Sequence, residues 1–309
     1  MTAAAPSSIT GPTIESVNDV ADGLASHDYL ADDGLATAIF LAISLQRPLL
    51  LEGDPGVGKT EVAKTLAKWL GSDLIRLQCY EGLDASQAVY EWDYSRQLLH
   101  LRTAEVQGTT GSGLEDELYS ERFLVKRPLL EAISATEGSR PVLLIDEVDR
   151  ADDEFEAFLL EILSEYAVTV PELGTYKAAV PPLVVITSNR TRDVHDALKR
   201  RSLYHWVEHP GFAREVEIIR RRTDGVPERL ARLVAAAVEQ FRGLGLYKPP
   251  GVAESIDWSQ ALFRLGATEL TPELVDASLG TVLKYREDLQ RVRDHGVDVV
   301  VETATARAG

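Results

Sequence analysis

The stretch that decides the fold reads Gly53-Asp54-Pro55-Gly56-Val57-Gly58-Lys59-Thr60 and fits the pattern G-x-x-x-x-G-K-[ST] without a gap. It follows the apolar run Pro48-Leu49-Leu50-Leu51 and opens a run of helical periodicity, Glu61 to Leu70. A strand, this loop and a helix in succession form a phosphate-binding P-loop, or Walker A motif. Its glycines let backbone N–H groups turn toward an anion, and the helix adds the positive end of its dipole. The stretch therefore predicts a loop that holds the phosphates of a nucleotide.

Two side chains of this loop have separate expected roles. The ammonium group of Lys59 reaches the β- and γ-phosphates as a point charge. The hydroxyl group of Thr60 completes the ligand shell of a Mg²⁺ ion. A nucleoside triphosphate and Mg²⁺ are thus the expected cofactors.

Polar side chains follow two further apolar strands. Val142-Leu143-Leu144-Ile145 ends in Asp146 and Glu147, the arrangement of a Walker B motif. Ligands bind at the carboxyl ends of parallel strands. Asp146 is therefore expected to hold Mg²⁺, usually through water, and Glu147 to polarise the attacking water. An acidic N-cap of the next helix is the alternative. Asn189, after the run Pro182 to Ser188, is expected to contact the γ-phosphate or the water, or else to be a turn residue.

A basic helix end follows, in which Arg200 and Arg201 stand side by side. Phosphoryl transfer gains on the order of 10³–10⁵ in rate from an arginine that stabilises charge on the γ-phosphate. Either residue could act this way on the nucleotide of a neighbouring subunit. The alternative is a cationic helix end that satisfies its own dipole.

The order of apolar and helical runs indicates the architecture. Continuous apolar strands that alternate with helices are typical of a parallel sheet covered on both faces. Beyond His209-Pro210-Gly211 only helical patterns occur. We therefore expect an α/β domain over residues 13–210 and a small all-helical lid domain over 211–300, with a disordered lead-in over 1–12 and a tail over 301–309. The predicted strands are Pro48–Glu52, Leu74–Cys79, Val142–Asp146, Leu183–Ser188 and Leu203–Val207. The predicted helices are Tyr29–Leu45, Lys59–Leu70, Pro128–Thr136, Glu154–Tyr166, Ala213–Arg222, Pro227–Arg242, Ala253–Arg264 and Thr271–Val292. A loop over Gln107–Gly113 and a short hairpin over Val168–Pro182 complete the prediction.

Composition limits the function classes. The 309 residues include 32 Lys and Arg against 49 Asp and Glu, a net charge of −17. This excess disfavours binding to a phosphate backbone, so no nucleic-acid partner is expected. The single cysteine, Cys79, fits a reducing compartment. Because no basic leader and no apolar run of about 18 residues occur, we expect a cytoplasmic protein without a membrane partner.

Taken in order, the P-loop, the Asp-Glu strand, the Asn strand, the basic helix end and the helical region resemble the AAA+ ATPases. Within these, the chain is similar to the MoxR family and to its branch for carbon-monoxide dehydrogenase maturation. The similarity rests on Leu77–Asp84, Tyr90–Tyr94, Arg96–Leu99, Asp146–Ala151 and Thr187–Arg190.

This resemblance implies that the nucleotide is ATP, bound in a homo-oligomeric, hexameric ring. It also implies insertions at 84–125 and 168–182, a chaperone-like action on a client protein, and a partner with a von Willebrand factor A domain. The chain departs from the family at Asp149, where many members have Asn, and at Arg127, where many have Gly. It also has no clear arginine over Ser255–Ser259, where related ATPases contact the γ-phosphate. Either Arg264 substitutes, or this branch works without that contact.

The leading interpretation is a Mg²⁺-dependent ATPase that couples hydrolysis to the remodelling or maturation of a client, possible metalloenzyme assembly included. Two alternatives stay open: a DNA-acting AAA+ motor or loader, and a nucleotide-gated assembly switch with little turnover. The acidic charge argues against the first. The presence of both Glu147 and Asn189 argues for turnover.

Overall fold

The computed structural model describes residues 12–106, 113–135 and 140–309. The chain divides into two compact units. The first comprises the described residues of 1–20, 33–52 and 62–205, and the second comprises 21–32, 53–61 and 206–309. Most of the predicted lead-in and the predicted loop at 107–113 lie outside the described residues. The division into an α/β domain to residue 210 and a lid domain to 300 stays a prediction.

Nine strands occur in the described residues. They are β1 (Leu49–Glu52), β2 (Leu74–Gln78), β3 (Tyr90–Trp92), β4 (Leu124–Lys126), β5 (Val142–Asp146), β6 (Ala167–Val170), β7 (Gly174–Lys177), β8 (Leu183–Ser188) and β9 (Leu203–Trp206).

Fifteen α-helices and two single-turn 3₁₀-helices, Glu121–Phe123 and Val148–Arg150, complete the described elements. The α-helices are α1 (Val17–Ala25), α2 (Asp33–Leu45), α3 (Lys59–Leu70), α4 (Ala85–Val89), α5 (Tyr94–Val106), α6 (Gly113–Leu118), α7 (Pro128–Ile133), α8 (Asp153–Glu165), α9 (Asp196–Arg201), α10 (Phe212–Arg222), α11 (Glu228–Gly243), α12 (Val252–Arg264), α13 (Pro272–Val282), α14 (Arg286–His295) and α15 (Val297–Ala308). No helix of the described part of the chain is long and apolar enough to cross a membrane.

The first unit is built on a five-stranded sheet in the order β2-β5-β8-β1-β9. The pairs β2–β5, β5–β8 and β8–β1 are parallel. All five predicted strands are present within one residue of their expected bounds, and the predicted P-loop fold with helices around a parallel sheet is confirmed. The central strands read as continuous apolar runs because both of their faces are covered. Leu50, Leu143 and Ile186 are fully buried in the resulting core.

Register places the polar strand ends side by side. Glu52 of β1 is paired with Ser188 of β8, and Gln78 of β2 with Asp146 of β5. The carboxyl ends of neighbouring parallel strands therefore bring together side chains that are far apart in sequence.

Two small antiparallel ribbons lie outside this sheet, largely within the segments 84–125 and 168–182, where the resemblance implies insertions. One pairs β3 with β4. The other pairs β6 with β7, where the sequence predicts a hairpin with Pro171 and Gly174 near its turn. That hairpin prediction is confirmed.

The second unit has a helical core of its own. Its apolar centre includes Phe241 of α11 and Trp258 of α12, whose ring centroids lie 5.7 Å apart. Trp258 is fully buried and donates through Nε1 to Ser278 Oγ of α13 at 2.8 Å. A buried indole keeps its hydrogen bond in this way.

Three predicted helices need correction, and the region after residue 300 is also helical. The helix predicted over Tyr29–Leu45 begins only at Asp33, after a separate helix α1 that ends before Asp28, which is left-handed (φ 61°). The helix predicted over Pro128–Thr136 ends at Ile133. The single helix predicted over Thr271–Val292 is two helices, because residues 283–285 are extended at Leu283 and Tyr285. The region expected to be a tail after residue 300 is helical to Ala308.

Candidate functional site

The predicted phosphate loop follows β1 directly and ends where α3 begins at Lys59. Gly56 and Gly58 adopt φ of 83° and 97°, a left-handed conformation that favours glycine. Lys59 Nζ donates to the carbonyl oxygen of Gly53 at 2.7 Å and to that of Asp54 at 2.8 Å. The buried ammonium group therefore ties the start of the loop to its end. Thr60 stands in the first turn of α3.

The loop packs tightly against the start of α12. The N–H of Val252 donates to the carbonyl oxygen of Gly56 at 2.9 Å. A Cβ atom on Gly251 would lie 2.7 Å from three backbone atoms of Gly56, and one on Gly53 would lie 2.3 Å from Val207 O. Glycine is required at both positions because backbone meets backbone there.

A histidine from the segment after β9 adjoins the loop. His209 Nε2 lies 3.4 Å from Asp54 Oδ2. Burial, with a further contribution from the nearby charge of Arg242, lowers the pKa of His209 below its ordinary value, while Asp54 acts in the opposite direction. The ring of His209 therefore stays neutral down to a lower pH than the ring of a free histidine does.

The segment Ser255–Ser259, which has no clear arginine, begins with a buried serine that takes part in a polar cluster. Ser255 is buried and donates through Oγ to Glu215 at 2.6 Å. The Glu215 carboxylate also accepts hydrogen bonds from Nη1 and Nη2 of Arg242, at 2.6 and 2.8 Å. Arg264 lies at the opposite end of α12 from Val252, roughly 18 Å along the helix axis, and is exposed. Among these residues Arg242 is the cation whose charge acts on His209.

In the first unit, Asp146 ends β5 as a buried carboxylate. Thr187 donates through Oγ1 to Asp146 Oδ1 at 2.6 Å, and Arg76 donates through Nη2 to Oδ2 at 2.6 Å. A carboxylate with these partners is held in one orientation. Both of its oxygen atoms already accept a strong hydrogen bond. They are therefore better placed to contact Mg²⁺ through its water ligands than to coordinate the ion directly.

Glu147 adopts a left-handed backbone conformation at φ 56° and ψ 51°. Such a conformation is strained for a residue with a side chain, and it occurs often at functional sites. The N–H of Glu147 donates to Thr187 Oγ1 at 2.9 Å, so the same threonine holds both acidic residues.

The carboxylate of Glu147 contacts three further side chains. Asn189 Nδ2 donates to Oε1 at 3.2 Å. Gln78 Nε2 donates to Oε2 at 3.2 Å, and Arg150 Nε lies 2.9 Å from the same oxygen. Oε1 thus keeps a lone pair for one more hydrogen bond. The structure therefore brings two predicted site residues, Glu147 and Asn189, into direct contact.

Asp149 fixes the loop that carries Asn189. Its buried carboxylate accepts the N–H of Asn189 at 3.2 Å and the N–H and hydroxyl groups of Thr191 at 2.8 and 2.7 Å. This gives a local reason for an aspartate at position 149: it accepts three hydrogen bonds from one loop.

Arg200 and Arg201 end α9 and make no hydrogen bond to Glu147 or Asn189 in the described chain. Arg47 instead binds the end of this helix, with Nε donating to Arg201 O at 3.0 Å and Nη2 to Arg200 O at 2.7 Å. The Arg201 side chain donates to Leu160 O of α8 at 3.1 Å. The Arg200 side chain is exposed and has no hydrogen-bond or ion-pair partner among the described residues.

Sequence reasoning missed Arg76, Gln78 and Thr187 as parts of this site. A signal was present, because Arg76 and Gln78 are polar residues two apart in the predicted strand Leu74–Cys79 and therefore point to one face. Which carboxylate they would meet depends on the pairing of β2 with β5, which the sequence pattern does not give.

The buried cysteine adds no reactive thiol to this site. Cys79 is 1% exposed, and burial, followed by the negative charges of Asp146 and Asp149, raises the pKa of its thiol to about 12. Within the described ranges no group of three or more His, Cys, Asp or Glu side chains could hold a metal ion. Thr60 carries a hydroxyl oxygen and Asp146 two carboxylate oxygens, and oxygen donors of either kind suit Mg²⁺.

Comparison with known proteins follows the same region. The family described as AAA domain (dynein-related subfamily) matches residues 48–202, from β1 to the end of α9. Midasin from Giardia intestinalis is 45% identical over 51 residues, which are 16% of this chain and 1% of midasin. The chain thus corresponds to a very small part of that relative. A solved structure from Cytophaga hutchinsonii, proposed to be an ATPase, is 18% identical with a TM-score of 0.47 and covers 94% of this chain and 93% of its own.

Proposed function

We propose that this chain, which belongs to the dynein-related subfamily of AAA domains, is an ATPase that uses Mg²⁺-dependent ATP hydrolysis to remodel a client protein. The observation that carries the hydrolytic part is the contact of Glu147 with Asn189 at the carboxyl ends of β5 and β8. A carboxylate with a free lone pair, held beside an amide, can orient one water molecule.

The proposed roles follow from the contacts of each residue. The amides of residues 53–60 and the Lys59 ammonium group hold the β- and γ-phosphates. Thr60 and Asp146 would hold a hydrated Mg²⁺, which would neutralise charge on the phosphate oxygens. Glu147 takes a proton from the attacking water as the water oxygen bonds to the γ-phosphorus, the bond between that phosphorus and the bridging oxygen breaks, and ADP and inorganic phosphate are formed. Asn189 orients that water or the γ-phosphate.

Arg200 and Arg201 are proposed to act on the nucleotide of a neighbouring subunit in a homo-oligomeric ring. The exposed, unpartnered side chain of Arg200 supports such a role, since it can reach a second copy at no cost in internal contacts. Arg201 would first have to release Leu160 O. Both residues stay candidates.

The finer assignment rests on the sequence resemblance. We propose that the chain is a MoxR-type ATPase of the carbon-monoxide dehydrogenase maturation branch. A hexameric ring and a partner with a von Willebrand factor A domain belong to the same proposal.

The ATPase mechanism is tested by phosphate release from ATP and by binding of a fluorescent ATP analogue. Glu147→Gln keeps the shape of the side chain but removes the base, so phosphate release should fall about 10²–10⁴-fold with binding retained. Lys59→Ala should abolish binding. Glu154→Gln, an exposed change on α8, is the matched control and should behave as the wild type. Normal turnover by Glu147→Gln would disprove its assigned role.

The client part is tested separately by affinity capture from a lysate in the presence of ATP. The Glu147→Gln protein should retain a client that the Lys59→Ala protein does not, because only the former holds ATP. Identical captured proteins with both variants would contradict nucleotide-dependent client binding while leaving the ATPase assignment intact.

A further inference from the structure

A groove of about 880 Å³ runs along the two insertions of the first unit, away from the residues assigned to nucleotide chemistry. One wall is formed by α4, β3 and the start of α5, and the other by α8 with the β6–β7 hairpin. Every residue that lines it is in the described part of the chain. The groove therefore lies between α8 and the two small antiparallel ribbons.

The charge of this groove is entirely of one sign. Its lining includes the carboxylates of Glu91, Glu161 and Glu165, and no lysine, arginine or histidine. Glu91 is paired with Arg127 at 2.7 Å. Glu161 and Glu165, one turn apart on α8, are exposed and have no cationic partner among the described residues. Two like charges on one helix face cost stability unless a cation joins them.

Aromatic side chains accompany these carboxylates. Tyr90, Trp92, Tyr94 and Phe158 line the groove, and the side chain of Tyr94 is 70% exposed. Carboxylates beside aromatic faces form an environment that attracts an ammonium or guanidinium group through charge and cation–π contacts. The negative charge of nearby Glu172 also acts on Tyr90 and contributes, after burial, to a raised pKa of its hydroxyl group.

An unpaired strand edge is available on the first wall. The N–H of Arg127 donates to Val89 O and the N–H of Asp93 donates to Phe123 O, both at 2.9 Å. Because hydrogen-bonded pairs alternate in an antiparallel ladder, the peptide groups of Tyr90 and Trp92 point away from β4. Among the described residues the sheet of β3 and β4 has two strands only, so none of their strands covers that edge.

Strand β6, on the opposite wall, also has an edge with outward peptide groups. The N–H of Ala178 donates to Tyr166 O at 2.9 Å, and by the same alternation the peptide groups of Ala167 and Thr169 point away from β7. Both residues line the groove. The groove thus offers outward peptide groups on each side, as required for an extended segment to add as a strand.

We propose that this groove binds an extended, lysine- or arginine-bearing segment of a partner protein, with its cationic side chains against Glu161 and Glu165 and its backbone along β3 or β6. The proposal extends the client remodelling proposed above by naming the chemistry of the bound segment. A segment of this kind complements the charge, the aromatic lining and the strand edges together. A second copy of this chain is a poorer match, because its net charge of −17 is of the same sign as the groove.

The test measures binding of a fluorescein-labelled octapeptide of alternating arginine and valine by anisotropy, without nucleotide. Glu161→Gln with Glu165→Gln should weaken binding by about tenfold or more, as expected for two lost ion pairs. Asp298→Asn with Glu302→Gln is the matched control, because it removes the same charge from two exposed residues one turn apart on α15. The control should change binding less than about twofold.

Two further peptides separate backbone from charge. The same octapeptide with glutamate for arginine should not bind. The arginine peptide N-methylated at alternate residues keeps its charge but cannot pair as a strand, and should bind at least about tenfold more weakly.

Several results would overturn the proposal. Equal loss of binding in the two double variants would mean general attraction to an acidic protein. No binding by the wild type would refute the groove as a peptide site. Displacement of the peptide by free arginine amide at equal concentration would indicate a small cation as the occupant, and self-association lost only in Glu161→Gln with Glu165→Gln would indicate a second copy. Phosphate release should be normal in both double variants, so failure here leaves the ATPase proposal standing.

Discussion

Replacement of Gly251 by alanine perturbs the phosphate loop from the helix that packs on it. The backbone of Gly251 is in an ordinary conformation, with φ −83°, so alanine adds no backbone strain there. Its new Cβ would nevertheless lie 2.7 Å from Cα, C and O of Gly56. The perturbation is therefore purely steric, and it acts on the backbone of the loop.

The expected cost follows from that distance. Carbon atoms pack at about 3.5 Å or more, so the two segments must separate by about 0.8 Å. Overpacking of this kind costs about 1–3 kcal/mol of unfolding free energy. The shift also moves the amides of the loop. Loss of one charged hydrogen bond to phosphate costs about 1.5–3 kcal/mol, which raises the dissociation constant for ATP roughly 10- to 100-fold.

Denaturant unfolding and binding of a fluorescent ATP analogue measure both effects. Gly280→Ala is the matched control, because Gly280 lies within α13 with nothing within 4 Å of its Cβ position. That change should stabilise the protein by about 0.5–1 kcal/mol and leave ATP binding unchanged. Wild-type stability together with wild-type ATP affinity in Gly251→Ala would refute the reasoning.

Three further predictions concern other parts of the molecule. If Arg200 or Arg201 stabilises charge on the nucleotide of a neighbouring subunit, replacing that residue by alanine should lower phosphate release by about 10³-fold or more and leave ATP affinity unchanged. Normal rates of phosphate release in both variants would exclude both arginines from this role. The pKa of His209 is lowered in the folded state, so the unfolded chain takes up its proton first as the pH falls. The stability that this neutral histidine contributes is fully present above its ordinary pKa of 6.5 and is lost as the pH falls through the lowered pKa. His209→Gln should therefore reduce the fall in melting temperature between about pH 7 and 5. An unchanged fall in melting temperature would contradict this role of His209. The thiol of Cys79, with a pKa of about 12, should react with a disulfide reagent at about pH 8 only after unfolding, and rapid reaction of the folded protein would show that the thiol is accessible.

The parts of the fold that could be predicted are those coded by local sequence. The P-loop is fixed by glycines that adopt left-handed angles and by a lysine that reaches back to the loop, all within eight residues. The strands of the central sheet are apolar along their whole length because both faces are buried, and this marks them clearly. The β6–β7 hairpin is marked by Pro171 and Gly174.

The parts that could not be predicted depend on tertiary contacts. Gln78 meets Glu147 only because β2 pairs with β5, and no local pattern fixes that order. The break between α13 and α14 carries no proline or glycine. There Asp288 is buried and accepts the N–H groups of Tyr247 and Lys248 at 2.7 and 3.0 Å. The role of Glu215 as a shared acceptor for Arg242 and Ser255 likewise depends on three helices that are distant in sequence.

The central claim is that the amides of residues 53–60 hold a triphosphate whose terminal group is hydrolysed with Glu147 as the base. The most direct measurement is a crystal structure of the full chain with magnesium and a slowly hydrolysed ATP analogue. The account predicts phosphate oxygens within hydrogen-bond distance of those amides and of Lys59 Nζ, and a water molecule held by Glu147 in line with the γ-phosphate. A loop without nucleotide at saturating analogue, or a Glu147 carboxylate directed away from the bound γ-phosphate, would contradict it.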